Sequence, residues 1–389
     1  MKIAAPAILS DPALVRVLDA LPTARVVGGA VRDALAGRPV ADIDLATPLL
    51  PAAVAAALSA AGIRTVPTGL EHGTLTAVAN GRGFEITTLR RDVATDGRRA
   101  TVAFTGDWRE DAARRDFTIN AMSMARDGTV FDYFGGIADL RAGIVRFVGD
   151  PATRIAEDYL RILRYFRFFA RYGVGVPDPA ALAAIRGGIA GLAGLSVERV
   201  WSELSGLLAV PDPGAAVVLM AQSGVLAALL PEGAAPEGLL RLRATEAPVD
   251  PVLRLAALLT GDALSVATRL KLPGADRDRL VALRQPLVLR PSDDDAALRR
   301  ALADADPAVL VGRAWLADEP GLRARLAAMP RPLFPLEGRD ILALGVPPGP
   351  LVGTILRDLR AHWMERGCVD DAAQLLPLAQ ARQSHDISR

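Results

Sequence analysis

Val27-Gly28-Gly29-Ala30-Val31-Arg32-Asp33, with twelve residues between its second glycine and Asp42-Ile43-Asp44-Leu45, decides how this chain is read. A β-like run at 24–28 ends in two glycines and opens a helical piece at 30–35. Such a turn lets backbone N–H groups approach a phosphate closely, and taken alone it is also ordinary punctuation. A second strand is expected at 42–46. Side chains alternate along a strand, so Asp42 and Asp44 share one face while Ile43 and Leu45 face the core. Adjacent carboxylates repel, and a shared divalent cation relieves them, as in two-metal attack on phosphorus. The plain alternative is a solvated strand end.

Further short runs at 75–79, 84–89 and 130–133 read as strands, and 51–61, after Thr47-Pro48, reads as a helix. From residue 151 onward the pattern is nearly all helical, in Ala-, Leu- and Arg-rich runs punctuated by Pro and Gly at 173–179, 211–214, 231–236, 273–274 and 330–350. A mixed α/β domain followed by an all-α region is therefore expected.

The 389 residues suffice for two or three domains at roughly 150 residues each. Aromatics make up only 5%, so the core must be built mostly from Ala, Leu, Val and Ile. A net charge of +1 does not by itself announce a nucleic-acid binder, so local clustering must make that case. The single cysteine, Cys368, excludes a disulfide framework and a multi-cysteine zinc site, and fits a reducing cytosol. Three histidines far apart (His72, His362, His385) exclude a histidine-rich metal centre. The longest apolar run, 215–230, is short for a bilayer span, and the N-terminal apolar stretch is too brief for a signal peptide. A soluble, cytoplasmic protein with no membrane contact is expected.

Two further stretches carry chemistry. In Arg114-Arg115-Asp116-Phe117-Thr118-Ile119-Asn120-Ala121-Met122, Asp116 or Thr118 could cap a helix burying Ile119 and Met122. Paired arginines and Asn120 fit that bland reading less well. In Glu157-Asp158-Tyr159-Leu160-Arg161-Ile162-Leu163-Arg164-Tyr165-Phe166-Arg167-Phe168, helical steps of three line up Asp158, Arg161, Arg164 and Arg167. The excess of arginine predicts a positive stripe seeking phosphate, set against an ordinary solvated helix face.

In this order and spacing the three motifs resemble those of the class II tRNA nucleotidyltransferases, the CCA-adding enzymes, and the related bacterial poly(A) polymerases. The resemblance covers roughly residues 24–205. It implies a DNA polymerase beta-like α/β nucleotidyltransferase head at 1–146, a helical neck with a base-recognition helix at 147–208, and a helical RNA-binding body and tail at 209–389. It further implies that Asp42 and Asp44 hold Mg²⁺, with Glu85 the candidate third carboxylate. Gly28, Gly29 and Arg32 would contact the triphosphate. Arg115, with Asp116 nearby, would serve the ribose and phosphates, Arg164 and Arg167 the triphosphate and the helix's own framework. Asp158 and Arg161 would read the base. Arg90, Arg91, Arg98 and Arg99 fall in the family's flexible-loop region, where they would order primer or nucleotide. Pro347–Gly353 opens a helix carrying Arg357, Arg360 and His362 that resembles the family's tail.

The activity so implied is template-independent addition of CCA to tRNA from CTP and ATP, with no stable protein partner. Poly(A) polymerase and partial CC- or A-adding enzymes share the head chemistry. A catalytically silent tRNA-binding protein is the alternative of a different class, and retention of both aspartates argues against it.

Overall fold

The computed structural model describes residues 7–96 and 99–386, which form two compact units, Met1–Pro236 and Glu237–Arg389. The first unit begins with an α/β head. Its strands are β1 (Arg25–Val27), β2 (Asp44–Thr47), β3 (Arg64–Gly69), β4 (Thr74–Ala79), β5 (Arg82–Thr88), β6 (Arg90–Asp96), β7 (Arg99–Phe104), β8 (Met122–Met124) and β9 (Val130–Asp132). Seven form one sheet in the order β3-β4-β5-β2-β1-β8-β9, while β6 and β7 make a separate two-stranded ribbon. Only β2 and β5 run parallel, so the sheet is mixed, as the sequence implied.

Helices α1 (Pro12–Ala20), α2 (Gly29–Leu35) and α3 (Pro51–Ala60) contribute apolar residues to the core of this sheet. Local chemistry sets where α1 begins: the Asp11 carboxylate accepts the Ala13 N–H, Pro12 occupies the first turn, and Ala13, Leu14, Val17 and Leu18 form the buried face. The core they share with Val26, Leu45, Ile86 and Met124 is largely aliphatic, Phe84 being its aromatic member.

All five expected strands are present, with shifted ends. The strand β3 was not foreseen, because it is an edge strand carrying Pro67 with no clean alternation of buried residues. The helix expected after Asp116 is not formed. Thr118–Asn120 is a single 3₁₀ turn, after which the chain extends into β8 to pair with β1. Ile119 and Met122 are buried as expected, but pairing with the sheet overrides the helical spacing.

Eight helices follow in the described residues of this unit, the first six being α4 (Trp108–Ala113), α5 (Gly136–Ala142), α6 (Pro151–Glu157), α7 (Leu160–Tyr172), α8 (Pro179–Gly188) and α9 (Val197–Leu208). The scarce aromatics gather along α7, where Phe117 lies 5.0 Å from Phe147 and 5.1 Å from Phe168, and Tyr165 stacks on Phe147 at 5.8 Å. The apolar run at 215–230 becomes two helices, Gly214–Ser223 and Val225–Leu229, divided at left-handed Gly224. The second unit is helical throughout its described residues. One of its clusters centres on buried Trp363, whose Nε1 donates to the Asp370 carbonyl at 3.1 Å. The helix expected after Pro347 spans Pro350–Glu365. Among the described residues, no helix is long and apolar enough to cross a membrane.

Candidate active site

The strand β2 begins at Asp44, two residues later than expected, with Asp42 in the approach to it. The alternation nonetheless holds: Ile43 and Leu45 are buried, Asp42 and Asp44 exposed. Pairing of β2 with β1 sets Asp44 opposite Val27, one residue before the glycine turn. On its other side, parallel pairing with β5 sets Asp44 opposite Glu85. Partial burial, the Glu85 carboxylate and then Asp42 push Asp44 above the ordinary carboxylate value, with Arg115 opposing. Glu85 stands beside Asp44 as the candidate third carboxylate, although among the described residues no group of three His, Cys, Asp or Glu is gathered as a metal site. Hard oxygen donors under mutual repulsion still suit a divalent cation, which would relieve the repulsion.

The turn before α2 needs its first glycine. Gly28 has φ +66°, and a Cβ there would stand 2.8 Å from Arg115 Nη1. Its N–H is already committed to the Met122 carbonyl at 3.2 Å. Gly29 brings the backbone close to Arg32, whose Nη2 would lie 3.4 Å from an added Cβ. Arg32 itself is buried: it grips Asp33 through Nε and Nη2 at 3.1 and 3.0 Å, and its Nη1 donates to Asn120 Oδ1 at 2.5 Å.

Arg115 pairs with buried Asp111 at 3.3 Å, and Asp111 also holds Arg114 and accepts the Arg90 backbone N–H. Burial draws Arg115 below the usual guanidinium value although Asp111 opposes it, so an additional anion there would be welcome. Asp116 is fully engaged: one oxygen accepts from Phe117 N and Asn120 Nδ2, the other from Arg164 Nε and Nη2 at 2.9 and 2.6 Å. Burial alone would raise the Asp116 pKa, but Arg164 and Asn120 hold it below the ordinary value.

The third motif is not one continuous helix. The chain breaks at Asp158, extended at φ −158° and ψ 105°, and α7 starts at Leu160. There Asp158 accepts the Leu160 N–H and receives Arg199 Nη2 from α9 at 2.6 Å. Nor are the arginines a stripe awaiting phosphate. Arg161 pairs with Glu157 and donates to the Arg154 carbonyl, Arg164 bridges Asp116 and Glu203, and Arg167 reaches Glu203 at 2.6 Å. The neutralising carboxylates were invisible to a count along one helix, because Asp116 and Glu203 lie 48 residues before and 39 after Arg164.

Sequence reasoning missed Asp33, Asp111, Glu203, Arg199 and Tyr172 as members of this network. Asn120 alone had signalled itself, as a polar residue that simple capping left unexplained. Of the loop cluster, Arg90 donates to the His72 carbonyl at 3.0 Å and Arg91 is exposed. Arg98 and the side chain of Arg99 lie outside the described residues.

A mixed sheet carrying a glycine turn beside two exposed aspartates defines a nucleotidyltransferase head. Residues 24–146 match the family described as Poly A polymerase head domain, and residues 177–235 the one described as probable RNA and SrmB-binding site of polymerase A. The chain is 40% identical to the mitochondrial CCA tRNA nucleotidyltransferase 1 of Danio rerio over 363 residues, 87% of this chain and 83% of that one. It is 34% identical to the CCA-adding enzyme of Limosilactobacillus fermentum over 95% of each chain. The crystal structure of the Bacillus stearothermophilus CCA-adding enzyme in complex with CTP superposes with a TM-score of 0.74 at 28% identity, covering 97% of this chain and 99% of that one. This chain belongs to the family of the CCA-adding tRNA nucleotidyltransferases.

Proposed function

We propose that this protein adds C, C and A in turn to the 3′ end of tRNA, drawing on CTP and ATP and releasing pyrophosphate without a nucleic-acid template. The observation that carries the reading is the exposed Asp42 and Asp44 pair set beside the glycine turn in a chain of this family.

Asp42 and Asp44 would hold divalent cations, which we assign as Mg²⁺. When bound, these supply Lewis acidity that lowers the pKa of the attacking 3′-hydroxyl and offsets charge on the departing pyrophosphate. Gly28 and Gly29 keep the turn open to a triphosphate, with Arg32 behind it and Arg115 facing the phosphates and ribose. Asp116, Arg164 and Arg167 brace the nucleotide-facing end of α7.

Asp158 and Arg161 read the base. A carboxylate accepts from the exocyclic amine of cytosine or adenine, and the guanidinium donates to the adjoining ring nitrogen or carbonyl. Guanine and uracil set a carbonyl against the carboxylate, at about 1–3 kcal/mol for each polar group left unpaired. Arg199 and Glu157 hold the two readers in place from behind.

In this reading the head spans 1–146, the neck 147–208, and the body and tail 209–389 receive tRNA. The protein works in the cytoplasm without a stable protein partner. The test is end-sequencing of a tRNA transcript lacking CCA after incubation with the protein, Mg²⁺ and all four nucleoside triphosphates. Growth by C, C and A is expected. A long A tail would make the protein a poly(A) polymerase, and binding without extension would make it a silent tRNA binder.

A further inference from the structure

Arg32 stands behind the glycine turn, yet what holds it comes from the far end of α7. Tyr172, the last residue of that helix, donates from Oη to Asp33 Oδ1 at 2.6 Å. The same carboxylate receives Arg32 through both Nε and Nη2, and Arg171 approaches it at 3.9 Å. The ring of Tyr172 lies 4.4 Å from the Arg32 guanidinium carbon, and Phe168, one turn earlier on α7, lies 5.1 Å from it. Tyr172 thus restrains Arg32 twice, once by its ring and once through Asp33. Arg32, Asp33, Phe168 and Tyr172 are buried, and Arg171 is exposed.

The restraint extends beyond Arg32 on both sides. Arg32 Nη2 would sit 3.4 Å from a Gly29 Cβ, directly under the turn, while Nη1 fixes Asn120, which donates to Asp116, which in turn receives Arg164. A continuous run of hydrogen bonds therefore joins Tyr172, through Asp33, Arg32, Asn120 and Asp116, to Arg164 on α7, and the Arg32 in that run lies against the glycine turn. Burial works to raise the Asp33 pKa, but its bonds from Arg32 and Tyr172 prevail and hold the carboxyl below the ordinary value. Asp33 is therefore an anion at neutral pH, and the Arg32 pairing is charge-assisted.

We propose that Tyr172 and Asp33 are positioning residues for the incoming nucleotide, fixing the Arg32 guanidinium beneath the glycine turn so that a triphosphate meets a preformed wall. The proposal rests on the nucleotidyltransferase reading of this turn. It requires that Arg32 be rigid before the nucleotide arrives. A loosened Arg32 must be ordered at the expense of binding, and the penalty falls on CTP and ATP alike because both carry the same triphosphate. Base choice, set at Asp158 and Arg161, is untouched.

The decisive variant is Tyr172→Phe, which keeps the ring over Arg32 and deletes only the hydroxyl. Equilibrium titration of the full-length protein with CTP and with ATP, in Mg²⁺ without tRNA, reads the effect independently of turnover. Both dissociation constants are expected to rise by the same factor, about fivefold to tenfold, which is less than the full worth of a hydrogen bond to a charged group because the loss reaches the nucleotide only through Arg32. On a tRNA lacking CCA, KM for each nucleotide should rise in parallel while kcat stays within about twofold and the added sequence remains C, C, A. Asp33→Asn should weaken both nucleotides further, and Asp33→Glu should recover part of the loss.

Unchanged dissociation constants in Tyr172→Phe would overturn the proposal. So would a fall in kcat with unchanged KM, or a lowered melting temperature with unaltered nucleotide affinity, since either assigns the tyrosine to something other than nucleotide positioning. Failure of the parent protein to extend tRNA would refute the proposed function instead, and the nucleotide titrations would still report on Tyr172.

Discussion

Asp44 and Asp116 are two aspartates of one compact unit held in opposite ways. Asp44 opens to solvent with Glu85 and Asp42 beside it, and partial burial together with those carboxylates makes its charge costly despite Arg115. Asp116 is wrapped by Phe117 N, Asn120 and a two-pronged Arg164, and its neighbours make its charge favourable. The first arrangement leaves an electrostatic demand that the chain does not meet, which is what a site for a cation requires. The second meets its demand internally, which is what a framework requires. Several arginines of α7 belong to this second kind, despite reading in sequence as the charge in excess.

The sharpest way to break this contrast is to remove the unmet demand. Asp42→Ala with Asp44→Ala should lower tRNA extension by ~10³-fold or more, as expected for loss of metal-assisted chemistry. Circular dichroism and nucleotide-free melting should stay near those of the parent. If extension survives, the two aspartates are a solvated strand end after all.

Next in size comes the framework. Asp116→Asn leaves Arg164 facing Glu203 alone, and urea unfolding near neutral pH should show a loss of about 2–4 kcal/mol. Its pH dependence follows from the direction of the shift. Asp116 has its folded-state pKa depressed, so its contribution is complete above the ordinary carboxylate value and lost as pH falls through the lower one. The gap between parent and variant should therefore close only in strong acid.

The smallest effect has the opposite sign. Asp44 has a raised folded-state pKa, so its charge weakens the fold at every pH above that value, and protonation relieves it below the ordinary one. In chelator-treated protein, Asp44→Asn should raise the melting temperature at neutral pH by about 1–2 °C, and the gain should vanish on acidification below the ordinary carboxylate range. Differential scanning calorimetry across pH measures both variants. A loss of stability in Asp44→Asn at neutral pH would erase the distinction between the two aspartates.

Much of the head was legible because its signals are local. Alternation around Ile43 and Leu45 fixed which face the aspartates occupy, and Gly28 marked a turn that a side chain at that φ would obstruct. Glu85 was singled out only as a candidate third carboxylate, and the pairing of β2 with β5 brings it alongside Asp44. What sequence could not reveal depends on contacts between distant segments. Asp116 and Glu203 reach Arg164 from other elements, and Tyr172 reaches Asp33 across 139 positions. A helical wheel drawn on 154–168 sees none of these, and it also runs through the break at Asp158 because no proline or glycine marks it. That break separates Asp158 from the helix bearing Arg161, so the two proposed base readers are held by Arg199 and Glu157 rather than by helical spacing.

The central claim is a division of labour: the acid pair of the head performs transfer, and Asp158 with Arg161 chooses the base. The most direct test is Asp158→Ala, incubated with a tRNA lacking CCA and all four nucleoside triphosphates, followed by sequencing of the extended ends. Continued extension with G and U now appearing among the added nucleotides is the expected result. Faithful CCA addition by that variant would contradict the account, as would complete loss of extension in a protein that still folds and binds nucleotide.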